Sequence, residues 1–108
     1  MSEFYMDYNT LIEKDTSSDN VTTAFENLGS VTTQAADDFL IFNGTSVDII
    51  CSINSTAKSE IVVPAGATYS GNCFQKNKRL LPGTQFSVKS SFGTISSGII
   101  YVMVEHKK

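Results

Sequence analysis

Tryptophan is absent from this sequence of 108 residues, histidine occurs once, and cysteine and proline occur twice each. The single imidazole, His106, has no G-x-S-x-G elbow to serve, which argues against a Ser-His nucleophilic pair. GTSVD at 44–48 copies half of that elbow inside a turn, the wrong context. One histidine and two widely separated cysteines, Cys51 and Cys73, do not make the closely spaced ligand pairs of a zinc site. Charged residues form only 18% of the chain and the net charge is -3. Binding to nucleic-acid phosphates, which calls for a basic excess, is therefore not expected. No stretch approaches the roughly 20 apolar residues that cross a bilayer. The opening MSEFYMDYNTLIEKD has neither the basic region nor the apolar core of a signal peptide, so the expectation is a soluble chain made without an export signal.

Serine, threonine, asparagine and glycine take the place of the missing charge, a composition suited to β-structure with hydroxyl-covered surfaces. From residue 21 onward apolar and polar residues alternate with a period close to two. VTTAFENL and SVTTQA read as edge strands divided by Gly29, with one helical turn as the alternative for AFENL. In DDFLIFNGTSVDIICSINS, the apolar run Phe39 to Phe42 is followed by Asn43-Gly44, the dipeptide of a tight hairpin turn. Val47, Ile49, Cys51 and Ile53 then alternate with Asp48, Ile50 and Ser52. EIVV leads into a Pro64 to Gly66 break, and ATYSGNCF follows. QFSVKSS reads as a half-buried strand with Phe86 and Val88 on its apolar face. IIYVMVEH is apolar on both faces: Ile100, Val102 and Val104 on one, Ile99, Tyr101 and Met103 on the other. Such a strand belongs in the middle of a sheet, or has its second face covered by a partner.

About seven to eight short antiparallel strands with no helical period after residue 28 predict an all-β fold, a β-sandwich of jelly-roll or Greek-key type. The sequence divides into an N-terminal arm or linker at 1–20 and the sandwich at 21–108. In the arm, Tyr5, Tyr8, Leu11 and Ile12 make one short amphipathic face, read either as a poorly ordered arm or as an arm that packs on a neighbouring subunit, and truncation through residue 18 is expected to leave the sandwich folded while weakening assembly. Pro64 and Pro82 fix backbone angles at strand ends and read as corners between sheets.

The remaining candidates for chemistry have plainer structural readings. GTISSG at 93–98 has phosphate-loop glycines but no following Lys and Ser/Thr, and precedes a strand; it reads as a turn. Asp37 and Asp38, adjacent on a strand, point to opposite faces. Lys76, Lys78 and Arg79 read as a solvated loop. The sequons at Asn20, Asn43 and Asn54 are explained by turn chemistry, because asparagine accepts left-handed backbone and bonds nearby main chain. Cys51 and Cys73 lie in apolar runs and read as buried thiols in a reducing compartment, the alternative being a disulfide if their strands are neighbours. No residue is assigned to catalysis, a cofactor or a metal, and no enzymatic activity is expected.

The ordered series FLIFNGTSVDIICSIN, IVVPAGATYSGN, LLPGTQFSVK and SSGIIYVMVE, between Ala24 and Glu105, resembles small tailed-bacteriophage virion proteins. In these an "apolar run, Asn, small, Thr, Asp" hairpin, a "V-P-A-G" corner, an "L-P-x-G-T" corner and an "S-G-x-x-Y-V" strand recur in that order. Asn43, Thr45 and Asp48 match the first motif, and Pro64, Ala65 and Gly66 the second. Leu81, Pro82, Gly83, Thr84 and Gln85 match the third, and Ser97, Gly98, Tyr101 and Val102 the last. The chain departs from the pattern in Cys51, Cys73 and the segment INSTAKS.

The resemblance implies a non-enzymatic structural component of the virion, a decoration or head-to-tail (neck or collar) protein made in the host cytoplasm. Its partners would be other copies of itself, for example in a trimer, and other virion proteins. For such a role the arm's face and the second face of the last strand supply the expected contact residues: Tyr5, Tyr8, Leu11, Ile12, Ile99, Tyr101 and Met103. The alternative is a receptor- or carbohydrate-binding module of a tail or fibre, with Tyr69, Phe74 and Tyr101 stacking on a host surface glycan.

Overall fold

The computed structural model describes residues 9–29, 36–54, 60–72 and 81–106. These residues form eight strands: β1 Asn9–Asp15, β2 Glu26–Leu28, β3 Ala36–Gly44, β4 Ile49–Ile53, β5 Ile61–Val63, β6 Thr68–Asn72, β7 Phe86–Ser90 and β8 Ile99–His106. All pair antiparallel, in two four-stranded sheets of order β1-β8-β3-β6 and β2-β7-β4-β5. Every connection except β4–β5 passes from one sheet to the other. This is the strand order of a jelly roll, so the expected sandwich is observed.

Alternation explains the core. On β8, Ile100, Val102 and Val104 are fully buried while their neighbours face outward; on β3, Phe39, Ile41 and Asn43 point in. The other sheet contributes Leu28, Ile49, Cys51, Val63, Phe86 and Val88. Phe39 and Phe86 meet across the sheets with ring centroids 5.5 Å apart and planes at 54°, within the preferred range for aromatic pairs. Each such side chain contributes about 1.5–3 kcal/mol on burial.

β8 lies between β1 and β3, as its two apolar faces predict. β7 is more deeply covered than expected: it too is central, and Ser87 on its supposedly wet face is buried, donating to Asn27 Oδ1 at 3.2 Å. The segment SVTTQA lies outside the described residues.

Residues 9–15 differ from the arm predicted for 1–20. They are an edge strand paired with β8 from Asn9↔Glu105 to Asp15↔Ile99. The alternation is disguised because only one of its inward residues, Ile12, is apolar, and the next, Lys14, is only 7% exposed. The Lys14 ammonium donates to Asp19 at 2.6 Å and Glu26 at 2.8 Å, closing the open side between β1 and β2. Burial opposes that charge, but the hydrogen bonds to Asp19 and Glu26 outweigh it and raise the lysine pKa above its ordinary value.

Asn43-Gly44 is not a hairpin, because β3 and β4 belong to different sheets. Asn43 is fully buried. Its Nδ2 donates to the carbonyls of Val47 at 2.8 Å and Val63 at 3.0 Å, and its Oδ1 accepts from the Thr45 amide at 3.0 Å and hydroxyl at 2.6 Å. Gly44 is required by a close approach: a Cβ there would lie 2.5 Å from the Ile99 carbonyl oxygen, and one on Gly98 2.5 Å from that of Gly44. The Pro64 corner holds as predicted. Ala67 N donates to Pro64 O at 3.0 Å, and Gly66 has φ 75°, the backbone a type II turn demands. Asp48 Oδ1 accepts from Ala65 N at 2.9 Å, so the first two motifs of the sequence series are one hydrogen-bonded junction.

Candidate functional site

The outer face of the β1-β8-β3-β6 sheet carries a group of apolar residues outside the core. Strand register sets them in rows: Leu11 opposite Met103 and Met103 opposite Leu40, then Tyr101 opposite Phe42, then Ile99 opposite Gly44. Leu11 is 51% exposed and Ile99 44%, while Leu40, Phe42, Tyr101 and Met103 are half-buried by one another. The Phe42 and Tyr101 rings lie 5.0 Å apart at 34°. At the margin toward the end of β8, Asp38, Leu40, Ser70, Met103 and Glu105 surround a shallow depression of about 200 Å³, with Phe39 also lining it. The face is therefore an apolar band ending in an acidic-rimmed hollow.

Of the contact residues predicted from the sequence, Leu11, Ile99, Tyr101 and Met103 come together on this face. Ile12 does not: neighbouring residues on a strand point to opposite sides, and Ile12 lies in the core at 8% exposure. Tyr5 and Tyr8 lie outside the described residues. Leu40 and Phe42 were not singled out. The signal for them was alternation within the run FLIF, which sends Leu40 and Phe42 to the face opposite Phe39 and Ile41.

The outer face of the second sheet is more polar, carrying Asn27, Ser52, Ser87 and Lys89 beside Ile50 and Val62. Lys89 rests its ammonium over the Phe25 ring, 4.5 Å from the centroid.

The core between the sheets is built mainly of aliphatic and aromatic side chains. Cys51 is a free thiol there, and burial pushes its pKa up to about 12, which suppresses the thiolate. Cys73 lies outside the described residues. Among the described residues no group of three or more His, Cys, Asp or Glu side chains is placed to hold a metal. Asp38 Oδ1 accepts from the Phe39 amide at 2.8 Å. Tyr69, a candidate for sugar stacking, is tilted against Phe39 at 6.2 Å and packs on the core. Phe74 lies outside the described residues.

Similarity to solved structures follows the strand order. The chain is similar to the PRD1 vertex protein P5 (TM-score 0.55, 11% identity, covering 93% of this chain and 96% of that one). It is similar to a chain of the capsid of Ralstonia phage GP4 (TM-score 0.54, 10% identity, covering 93% and 83%). It is also similar to Streptomyces albus HEPD, solved with 2-hydroxyethylphosphonate and Fe(II) bound (TM-score 0.53, 10% identity). The match covers 94% of this chain but only 19% of HEPD, so the chain spans about a fifth of that protein. At these identities the likeness is one of fold. No protein-family model matches the chain, and no curated protein matches it. No helix among the described residues is long and apolar enough to cross a membrane.

Proposed function

We propose that this chain is a non-enzymatic structural protein of a bacteriophage virion, a decoration or head-to-tail component that works by contacts with copies of itself and with other virion proteins. The observation that carries this reading is the apolar band on the outer face of β1-β8-β3-β6, where Leu11 and Ile99 are about half exposed beside Leu40, Phe42, Tyr101 and Met103. Such a band, running across adjacent strands, suits a protein partner better than a small molecule. The fold likeness to the PRD1 vertex protein and the Ralstonia phage capsid chain supports a virion setting. The ordered sequence motifs point the same way.

The interior supports a non-catalytic role. Its inward-facing positions are occupied mainly by packed apolar side chains, its buried thiol is protonated, and Lys14 is engaged with two carboxylates. The reading is tested by counting the chain in purified phage particles by quantitative mass spectrometry. A fixed copy number per particle, a multiple set by a symmetric position, is expected; absence from the particle contradicts the reading. Ring or trimer formation, judged by light scattering across a hundredfold concentration range, tests the self-contact.

A further inference from the structure

Asn43-Gly44 is the single Asn-Gly pair in the sequence, and such a pair is chemically fragile. Glycine has no Cβ to shield its amide, so the Gly44 nitrogen is free to attack the side-chain carbonyl carbon of Asn43. A bond forms between that nitrogen and Cγ as the Cγ–Nδ2 bond breaks. The side-chain nitrogen leaves as ammonia, taking up the proton that the Gly44 amide gives up, and a five-membered succinimide remains. Water then opens the ring at one carbonyl or the other. The products are aspartate and isoaspartate, and the second carries an extra methylene in its main chain.

Folding keeps the two reacting groups apart. Asn43 is fully buried, and its side chain is bound at both polar atoms: Nδ2 donates to the carbonyls of Val47 and Val63, and Oδ1 accepts from the Thr45 amide and hydroxyl. Its main chain is bound as well, the amide donating to Ala67 O at 3.0 Å and the carbonyl accepting from Gly66 N at 2.8 Å. Gly44 continues β3 opposite Ile99 of β8. Ring closure swings Cγ onto the Gly44 nitrogen, which breaks the side-chain bonds and bends the strand out of its extended backbone. The reaction in the native chain therefore waits for opening, and its rate follows the fraction of open molecules.

Neither product fits the junction. Aspartate places an acceptor oxygen where Nδ2 donated, facing the carbonyls of Val47 and Val63 across 2.8 and 3.0 Å with a buried negative charge. Isoaspartate lengthens the main chain next to Gly44, where even an added Cβ would lie 2.5 Å from the Ile99 carbonyl oxygen.

We propose that Asn43-Gly44 is a deamidation site closed by folding and opened by unfolding, so that a chain left unfolded is converted irreversibly into one that cannot rebuild the junction between the ends of β3 and β5. This goes beyond the virion reading and does not depend on it. The lifetime of the active chain is then set by a rate of opening and modification rather than by an equilibrium alone.

The test holds the full chain, reduced and at mildly alkaline pH, in native buffer and in guanidinium chloride, and follows aspartate and isoaspartate at position 43 by peptide mapping. The unfolded chain is expected to deamidate as fast as a short peptide spanning 40–47. The native chain should be at least about a hundredfold slower, because the unfolded fraction of a stable domain is on the order of 10⁻³ or less. Ile12→Val, a core change away from the junction, should speed the native reaction about two- to tenfold, in step with its own shift in the unfolding equilibrium. Asn43→Asp should lose the cooperative urea transition or show it at a much lower midpoint. A native chain that deamidates at the peptide rate, or a native rate unmoved by Ile12→Val while the unfolding equilibrium shifts, overturns the gating by folding. A urea midpoint for Asn43→Asp equal to that of the natural chain overturns the irreversible step.

Discussion

The side-chain amide of Asn43 donates to the carbonyl of Val63 at 3.0 Å, joining the corner that leaves β3 to the corner that leaves β5. The same nitrogen reaches Val47 O, and the amide oxygen takes both protons offered by Thr45. Asn43→Ala leaves several buried partners unsatisfied at once. Each such group costs about 1–3 kcal/mol, and the expected loss is about 3 kcal/mol or more, read as a lower urea midpoint with little change in the slope of the transition.

Deleting residues 1–8 leaves β1 whole and is expected to preserve cooperative unfolding. Deleting 1–15 strips β8 of one hydrogen-bonded neighbour and removes Ile12 from the core. Loss of a sharp thermal transition is the expected outcome, measured by circular dichroism. Truncation through residue 18, harmless if residues 1–20 were an arm, is expected to be equally damaging.

Leu11 and Ile12 are neighbours in sequence with opposite surroundings, one 51% exposed and the other 8%. Leu11→Glu should leave stability within about 0.5 kcal/mol, as exposed substitutions do, while reducing self-association in sedimentation experiments. Ile12→Glu buries a carboxylate without a partner and should unfold the domain. Equal effects on folding would contradict the assignment of faces.

Cys51 provides a pH prediction. In the folded chain its thiol keeps its proton to about pH 12, whereas an unfolded cysteine ionises from about pH 8.5. Between those values the folded state binds more protons, so stability falls as pH rises through this window. Cys51→Ala should flatten that alkaline decline in urea titrations between pH 8 and 10. The native thiol should also resist a thiol reagent until urea unfolds the chain.

The sandwich was legible because β3, β4, β7 and β8 alternate on a period of two, and the doubly apolar β8 announced a central strand. β1 was hidden for a physical reason: an inward position filled by Lys14 breaks the apolar pattern, and only the carboxylates of Asp19 and Glu26, brought near by folding, make that position stable. Asn43-Gly44 misled in another way. The local chemistry of the pair favours a hairpin, but the choice was made by long-range contacts, with Val63 for the side chain and Ile99 for the backbone. By contrast, Asn54 has φ 56°, the left-handed backbone its residue type allows. Half of the contact face was visible on β8, and its continuation through Leu40 and Phe42 required knowing that β3 lies beside β8.

Lys14 has a consequence beyond the stability of one chain. β1 is a seven-residue strand at the margin of its sheet, and an unpaired strand edge is a template on which further strands can add. A charged side chain pointing inward at such an edge discourages this addition, because a strand laid alongside would wall in the ammonium and its two carboxylates. Growth of the sheet by strand addition is thereby discouraged at β1. Such a guard matters most at high local concentration, since crowding is when stray edge pairing is fastest.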